Sequence, residues 1–412
     1  MMRRIQQVAR RYANQMINSI ALYPALIALV FLLISYLVLH LDFSPYGKQI
    51  KSHWDFLTLK DASTARTIAA TIAGGILSLT VFSFSMVMIL LNQAASNMSN
   101  RVLGSMIGNR FQQVVLGFYI GTIVYALFLL STIRDIDSGI YVPALSVYLL
   151  ILLTIVDIFL FIYFIHYITQ SVKFETIIDH IHQKTRHKLQ EQRVPETEPV
   201  EPMPSFEGAQ ELKTEAAGYF QGFNRKQLLK LCAQHNWQIL FLFPLGSYVL
   251  KGVPYLKINA PEGLTEDHQK QIAPLVDFYR GESVADNSGY GFKQLVEVAL
   301  KALSPGVNDP GTAVLSLHAL FDLLSFRLQH APFQVLRDEQ QKIRIIPQTD
   351  SFQEVFRKAL YPIWDYGQND RILRNELMGA LEQLLLYPAS PEDKAMISAL
   401  RKTVAQKMLE KE

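Results

Sequence analysis

The sequence predicts an α-helical membrane protein with four transmembrane helices, followed by a cytoplasmic α+β domain that has a small β unit and a helical C-terminal region. Of the 412 residues, 50% are hydrophobic and 18% are charged, and the mean hydropathy is +0.15, which is too apolar for an ordinary soluble chain. The apolar excess lies in residues 1–173, in four stretches that each exceed the roughly 20 helical residues needed to cross a bilayer core. Beyond residue 173 the chain turns polar, which predicts a separate soluble domain.

The four predicted spans are uncharged or nearly so, and they cover Ile20–Leu41, Thr67–Leu91, Phe111–Ile133 and Ile140–Ile168. The first is predicted to stay as an anchor, because its apolar run is longer than the roughly 7–15 residues of a signal-peptide core. Arginines before the first span and basic residues after the fourth indicate that both termini are cytoplasmic. In the first outside loop, basic residues such as Lys51 are opposed by acids such as Asp42. The sequence therefore predicts a multi-pass protein of the bacterial inner membrane.

The polar part of the chain divides into three predicted regions. Residues 174–215 predict a juxtamembrane helix and a linker rich in proline and glutamate. Residues 216–262 predict a small, mostly antiparallel β unit, with a helix after Asn224 and β-like runs at Tyr219–Phe223, Trp237–Phe243, Tyr248–Leu250 and Tyr255–Ile258. Residues 263–412 predict a helical domain. Its expected helices are Thr265–Tyr279, Phe292–Leu303, Pro310–Gln329, Ser351–Trp364, Arg371–Leu386 and Pro391–Glu410.

Charge and motifs exclude several classes of function. The 39 basic and 36 acidic side chains give a net charge of only +3, so nucleic acid is not a predicted partner. The single cysteine, Cys232, cannot form an internal disulfide, and the chain has no Cys/His spacing typical of a zinc site. No phosphate-binding loop, nucleophile constellation or carboxylate pair is visible. We therefore predict neither an enzyme nor a cofactor nor a metal site.

Several stretches of the sequence resemble one known family. They are KQLVEVALKALSPGVNDPGTAV at Lys293–Val314, VFSFSMVMILLNQAASNMSNRVLGSMIGNRFQQVVL at Val81–Leu116, GYFQGF at Gly218–Phe223 and YFIHYI at Tyr163–Ile168. In this order they resemble the bacterial predicted-membrane-protein family catalogued as domain of unknown function 2254. Gly311 and Asn100 depart from the residues associated with those positions. The resemblance implies a multi-span membrane region with a soluble C-terminal region, and it implies no activity.

A polar stripe runs along the second predicted span. At helical steps of four or seven residues, its members are Thr67, Thr71, Ser78, Ser85, Asn92 and Ser96. Small and hydroxylated residues at such spacing are typical of close helix packing in membranes, and Gly74 and Gly75 favour that interpretation. The same hydroxyls and amides are also typical of a water-filled path. The stripe therefore predicts either a packing face or a pore lining.

Asp157 is the acidic residue that lies deepest in any predicted span. An ionisable side chain at that depth costs several kcal/mol unless it is paired, protonated or hydrated, which makes it a functional candidate. The structural alternative is a neutral acid that hydrogen-bonds to hydroxyls of the second span. His166 lies further along the same helix, where a histidine at the membrane interface is the more common explanation than a pH sensor.

The string from Ser304 to Thr312 predicts a tight corner between two helices. Pro305 ends the first helix together with the glycine after it, Asp309 caps the second helix, and Pro310 occupies its first position, where a missing N–H is harmless. A ligand or subunit contact through Asn308 and Asp309 is the functional alternative to this structural role.

Two hypotheses of function follow. The first is a homo-oligomeric ion or small-solute channel, lined by the second span and gated by the cytoplasmic domain. The second is a non-conducting sensor or scaffold, whose cytoplasmic domain binds a partner or a small ligand. The polar stripe and Asp157 distinguish the two, because a simple anchor needs neither. Expected partners are the lipid bilayer, other copies of the chain, and an ion or small ligand.

Overall fold

A computed structural model of the protein describes residues 21–53, 59, 61–97, 110–133, 142–191, 203–279, 287–330 and 335–410. The chain divides into two units. The N-terminal unit comprises Met1–Ser96 and Asn100–Lys173, and the C-terminal unit comprises Asn97–Ser99 and Phe174–Glu412.

Helices of the N-terminal unit follow the predicted spans. The long ones are α1 (Leu22–Phe43), α3 (Ala62–Asn97), α4 (Arg110–Thr132) and α5 (Ala144–Ser171), and a short helix, α2 (Pro45–His53), follows α1. The predicted first residues of two spans, Ile20 and Ile140, lie outside the described residues. The hydropathy of the sequence thus predicted the positions of these helices, and the predicted ends differ from the observed ends by a few residues.

Helix α3 packs against its neighbours through alanines. Its buried face, formed by Ala62, Ala65, Ala69 and Ala73, belongs to one apolar cluster with Phe31 of α1 and with residues of α4 and α5. The neighbours that share this cluster are Tyr125, Ala126, Leu129, Val147 and Leu150. These alanines attach α3 to the core at its edge, whereas the close helix pair of the unit is α1 with α4.

Two glycines of α4, Gly117 and Gly121, lie against α1. A Cβ atom built on Gly121 would lie 2.6 Å from Cγ of Phe31, and one on Gly117 would lie 3.2 Å from the Cα of Pro24. The four-residue spacing is the small-xxx-small pattern of close helix pairs in membranes. The sequence analysis did not single out this pair.

Five of the described helices are long and apolar enough to cross a membrane. They are α1, α3, α4, α5 and Pro310–Gln329, which is α10 of the C-terminal unit. The mean hydropathy of α10 over its most apolar window is 1.2, against 2.1 to 2.7 for the other four, and 56% of that window is buried within the structure. The number of helices with the composition of a span is thus one more than the four predicted.

The C-terminal unit contains two β-sheets. The strands are β1 (Gln210–Lys213), β2 (Gly218–Phe223), β3 (Gln238–Pro244), β4 (Tyr248–Val249), β5 (Pro254–Asn259), β6 (Val276–Tyr279), β7 (Leu336–Arg337) and β8 (Ile343–Gln348). One sheet has the order β1-β5-β3-β8-β7 and the other the order β4-β2-β6. All described pairings are antiparallel except β3 with β8. Helix α7 (Arg225–Gln234) follows β2, capped by Asn224 as predicted.

The β region is larger than the sequence predicted. Three strands, β6, β7 and β8, lie within residues 263–412, where only helices were expected. The expected helix Thr265–Tyr279 is a short helix, α8 (Glu266–Ile272), then a 3₁₀ turn and strand β6. Pro274 lies in that turn and lacks the N–H that a longer helix would need. Strand β1 likewise lies within the predicted linker.

The remaining helices agree with prediction to within a few residues. They are α6 (Phe174–Glu191), α9 (Ser288–Leu303), α10 (Pro310–Gln329), α11 (Phe352–Gly367), α12 (Arg371–Leu385) and α13 (Pro391–Leu409). The juxtamembrane helix α6 packs against α9 and α10, where Gly291 lies so close to Thr185 that no side chain would fit between them. Asp322 of α10 also accepts hydrogen bonds from His182 and Arg186 of α6. Helix α6 is therefore an integral part of the C-terminal unit.

Candidate functional site in the membrane helices

The polar stripe of α3 lies on the face opposite to its buried alanines. Thr67, Thr71, Ser78, Ser85 and Asn92 are all exposed. Within the described part of the chain, nothing lies within 4 Å of a Cβ atom built on Gly74 or Gly75. The side chain of Ser96, the last predicted member, lies outside what the structure describes. The outer face of α3 thus carries a narrow polar stripe that is flanked by exposed apolar side chains such as Leu77, Val81 and Ile89.

The hydroxyls of the stripe donate to their own helix. Thr67 donates to the carbonyl of Ser63 at 2.8 Å, and Ser78 and Ser85 donate to the carbonyls four residues before them at 2.9 Å each. Such bonds satisfy the hydroxyl hydrogen and leave the oxygen free to accept a further hydrogen bond. The stripe therefore tolerates a packed, non-aqueous partner and can also accept from water.

Asp157 does not lie near the stripe; it is buried inside the N-terminal unit. Its side chain is fully buried near the middle of α5, and the Thr122 side chain of α4 lies beside it. Tyr119, one turn from Thr122, is also fully buried within electrostatic range of Asp157, and Ser83 of α3 lies beside the Tyr119 hydroxyl. We call these four residues the Asp157 cluster. The structure joins Asp157 to α4, and not to the stripe hydroxyls of α3.

Five oxygen atoms of the Asp157 cluster make no hydrogen bond of ordinary length within the described part of the chain. They are Ser83 Oγ, Tyr119 Oη, Thr122 Oγ1 and both carboxylate oxygens of Asp157. Thr122 adjoins Asp157 and Ser83 adjoins Tyr119, so these hydroxyls are the groups nearest to hand for pairing. Buried polar atoms are nearly always paired, which makes this cluster a candidate site for water or an ion.

Asp42 is a second buried acid among the described residues of this unit, and it is fully paired. Its carboxylate accepts from the backbone N–H and the hydroxyl of Ser146, both at 2.8 Å, and from the N–H of Leu145 at 3.3 Å. It also forms an ion pair of 3.0 Å with Lys51, which in turn donates to the carbonyl of Val142. Asp42 thus caps the start of α5 and holds α2 against it. Asp42 therefore has a structural role, whereas the carboxylate of Asp157 has no basic partner among the described residues.

A cavity of about 170 Å³ reaches the Asp157 cluster from the side of α3 and α4. Ser83, Tyr119, Gln112 and Gln113 are among its lining residues, but they contribute little of its surface. The rest of its wall is apolar, formed by Phe84, Val87, Met88, Leu91, Val115, Leu116 and Phe164. At about 30 Å³ for each water in the liquid, the space is enough for about five waters.

The other predicted site residues lie apart from this cluster. His166 is exposed on α5. In the corner before α10, Ser304 donates to the carbonyl of Lys301, Asp309 accepts from the N–H of Thr312 at 3.1 Å, and Pro310 is the first residue of the helix. Pro305 is exposed, and Asn308 adopts a left-handed backbone conformation with φ of 49°. These contacts account for the string as a helix corner.

The C-terminal unit has a cavity of about 300 Å³ of its own. Its apolar wall includes Phe223, Leu245 and Phe292, and its polar groups include Arg225 and Asn287. No group of three metal-ligating side chains occurs among the residues that the structure describes. Cys232 is buried in the apolar core of this unit, and burial raises the pKa of its thiol to about 12.

Sequence reasoning located Asp157 but missed its neighbours. Ser83, Tyr119 and Thr122 occur in apolar stretches as ordinary helix residues, and nothing in their spacing relates them to Asp157. The phase of Tyr119 and Thr122, three residues apart on one helical face, was a weak signal. Asp42 and Lys51 were read as loop charges because their pairing depends on a contact with α5.

Comparisons with known proteins agree with this architecture. The chain matches the family described as "Predicted membrane protein (DUF2254)" over residues 17–383. It is similar to an uncharacterized protein of Mycobacterium bovis, with 25% identity over 345 residues, which are 81% of this chain and 66% of that protein. Uncharacterized proteins of two Mycobacterium tuberculosis strains are similar to the same extent. The chain thus spans about two thirds of the length of these relatives. No solved structure matches it.

Proposed function

The chain belongs to the family of predicted membrane proteins DUF2254, and from this premise we propose that it is a homo-oligomeric inner-membrane channel for an ion or small solute, gated by its C-terminal domain. The membership confirms the resemblance seen in the sequence motifs. We further propose four transmembrane helices, α1, α3, α4 and α5. Helix α10 is then a core helix of the C-terminal domain, because helices of its own unit cover it and its hydropathy is the lowest of the five.

The observation that carries the proposal is the exposed polar stripe of α3. The apolar side chains that flank the stripe suit lipid, but its hydroxyls and its amide find no hydrogen-bond partners there. Between several copies of the chain, the same faces would enclose a polar path. Gating is supported by connectivity, since only Val172 and Lys173 separate α5, which carries Asp157, from α6 of the C-terminal domain.

Substitution of the stripe is the direct test. In liposomes that contain purified protein, Ser78→Leu and Ser85→Leu are each expected to reduce ion flux at least tenfold, because leucine narrows and dewets a polar path. The oligomer mass in mild detergent should stay that of the wild type. Thr169→Leu is the matched control, since Thr169 is an exposed hydroxyl on α5 that also donates to its own helix, and its flux should not change.

Two results would contradict the pore lining. Wild-type flux in both variants with an intact oligomer would show that α3 does not line the path. Loss of the oligomer in both variants would instead identify the stripe as a packing face between copies, where small residues are required.

Topology is the second prediction. With four spans and both termini cytoplasmic, a green fluorescent protein fused to the end of the chain should fluoresce, and an alkaline phosphatase at the same place should be inactive. Lys173 and the basic residues of α6 support this orientation. The opposite pair of results, or an active phosphatase alone, would place the C-terminus outside the cytoplasm and contradict this topology.

A second candidate function is a non-conducting sensor, which the 300 Å³ cavity of the C-terminal unit favours. Its size is at the lower end for small-molecule sites, and it combines an apolar wall with Arg225 and the capped start of α9. Wild-type liposomes that show no flux above protein-free vesicles, at several membrane potentials and pH values, would favour this function over conduction.

A further inference from the structure

We propose that the Asp157 cluster binds one small monovalent cation, such as Na⁺, inside the membrane helices of each chain. The proposal rests on the proposed function in that it names the class of solute that the protein handles. It differs in being a statement about equilibrium binding, which is measurable without any flux.

The ligand set is the first argument. Five buried oxygen atoms on three helices, two of one carboxylate and three of hydroxyls, lie in this cluster without a hydrogen bond of ordinary length in the described chain. Thr122 adjoins Asp157, and Tyr119 lies within electrostatic range of Asp157 and beside Ser83. Oxygen atoms of this kind are the ligands that hard cations prefer, whereas nitrogen and sulfur ligands, which softer metals prefer, are not among them.

Charge is the second argument. Asp157 contributes one negative charge, and among the described residues no basic side chain interacts with it; Tyr119 is the other titratable group that faces it. A buried carboxylate without a counter-charge costs several kcal/mol in the membrane. One monovalent cation neutralises it, while a divalent cation would leave an excess positive charge. A proton is the competing way to neutralise the same carboxylate.

Access is the third argument. The 170 Å³ cavity is lined by Ser83 and Tyr119, two members of the cluster, although most of its wall is apolar. An ion that enters there meets these two hydroxyls, and Tyr119 lies within electrostatic range of Asp157. Asp42 shows the alternative, a buried acid that the fold neutralises with its own lysine and caps with backbone N–H groups.

Equilibrium binding of radioactive ²²Na⁺ to purified full-length protein in detergent tests the proposal. At pH 8, saturable binding of one Na⁺ per chain is expected. At pH 5 the apparent Kd should rise at least tenfold, because protons compete for Asp157. Competition with unlabelled KCl and choline chloride then ranks the cations, and choline, which is too large for the cluster, should not displace the label.

Variants locate the binding. Asp157→Asn keeps the shape and removes the charge, and it should abolish binding; Thr122→Val keeps the shape and removes one oxygen, and it should raise the Kd about tenfold. Asp61→Asn, a change at an exposed acid of the same unit, is the control and should bind as the wild type does. Binding unchanged in both cluster variants, or no saturable binding by the wild type at pH 8, would overturn the proposal. Flux without such binding would reject this inference alone, whereas binding without flux would reject the channel alone.

Discussion

Asp42→Ala is expected to lower the stability of the N-terminal unit by about 3–5 kcal/mol, the cost of leaving one partner of a buried ion pair without the other. Lys51 has a side chain that is only 6% exposed, so its charge would stay buried. The N–H groups of Leu145 and Ser146 would also lose their acceptor at the start of α5. In detergent, the melting temperature should fall by about 10 °C.

A double-mutant cycle separates the ion pair from the helix cap. Lys51→Met added to Asp42→Ala should recover part of the loss, because the lysine charge is then removed while the cap stays absent. Asp61→Ala is the matched control, since Asp61 also accepts from a backbone N–H at a helix start, that of Thr64, but is exposed; it should change the melting temperature little. A double variant that is less stable than Asp42→Ala would contradict this pairing.

Gly121→Leu is expected to be nearly as disruptive, through the packing of α1 on α4. A Cβ at this position would lie 2.6 Å from Cγ of Phe31 and 2.9 Å from both Cδ atoms, so a leucine requires the helices to separate. Overpacking of this kind costs about 1–3 kcal/mol, and Gly117→Leu in the same protein should add to it, since Ile27 and Pro24 lie equally close there. Thermal melts in detergent, with the yield of folded protein, measure both.

Two further variants make the effect of Gly121→Leu specific. Phe31→Ala combined with Gly121→Leu should restore part of the lost stability, because the small residue has only moved to the facing helix. Gly75→Leu should leave the fold of the chain intact, since no atom lies within 4 Å of a Cβ at that position. Equal losses at Gly75 and Gly121 would argue that helix flexibility, and not close packing, explains the glycines.

Asp42 and Asp157 also bear on the proposed conduction. Both are fully buried acids of the membrane helices, yet Asp42 is paired with a lysine and with backbone N–H groups, whereas the neighbours of Asp157 in the described structure are hydroxyls. Removing the charge is therefore expected to have opposite consequences at the two sites: loss of stability at Asp42, and loss of cation binding with little loss of stability at Asp157. A buried ionisable side chain that lowers the free energy of unfolding is typical of a functional site.

The sequence alone determined the elements that depend on local patterns. Long apolar runs located the four long helices of the N-terminal unit, because hydrocarbon requires every backbone group in a span to be paired within the helix. Helix caps at Asn224 and Asp309 and the helix α10 were also readable, since a cap depends on residues three apart. The short strands β2 to β5 were visible because alternation and turns are local as well.

Only the tertiary structure decided the features that join distant residues. Strands β6 and β8 escaped prediction because pairing across long separations stabilises them; β6 pairs with β2, and β8 lies parallel to β3 and shares a core cluster with it. Strand β7 has only two residues and pairs with β8. The pairing of Asp42 with Ser146 and the meeting of Asp157 with Thr122, Tyr119 and Ser83 likewise depend on helix rotation and approach. Hydropathy reports how apolar a helix is, but not which of its faces meets a neighbour. The sequence predicted the polar stripe of α3. That the stripe faces away from the core became clear only from the structure, in which the alanines of α3 occupy the opposite, buried face.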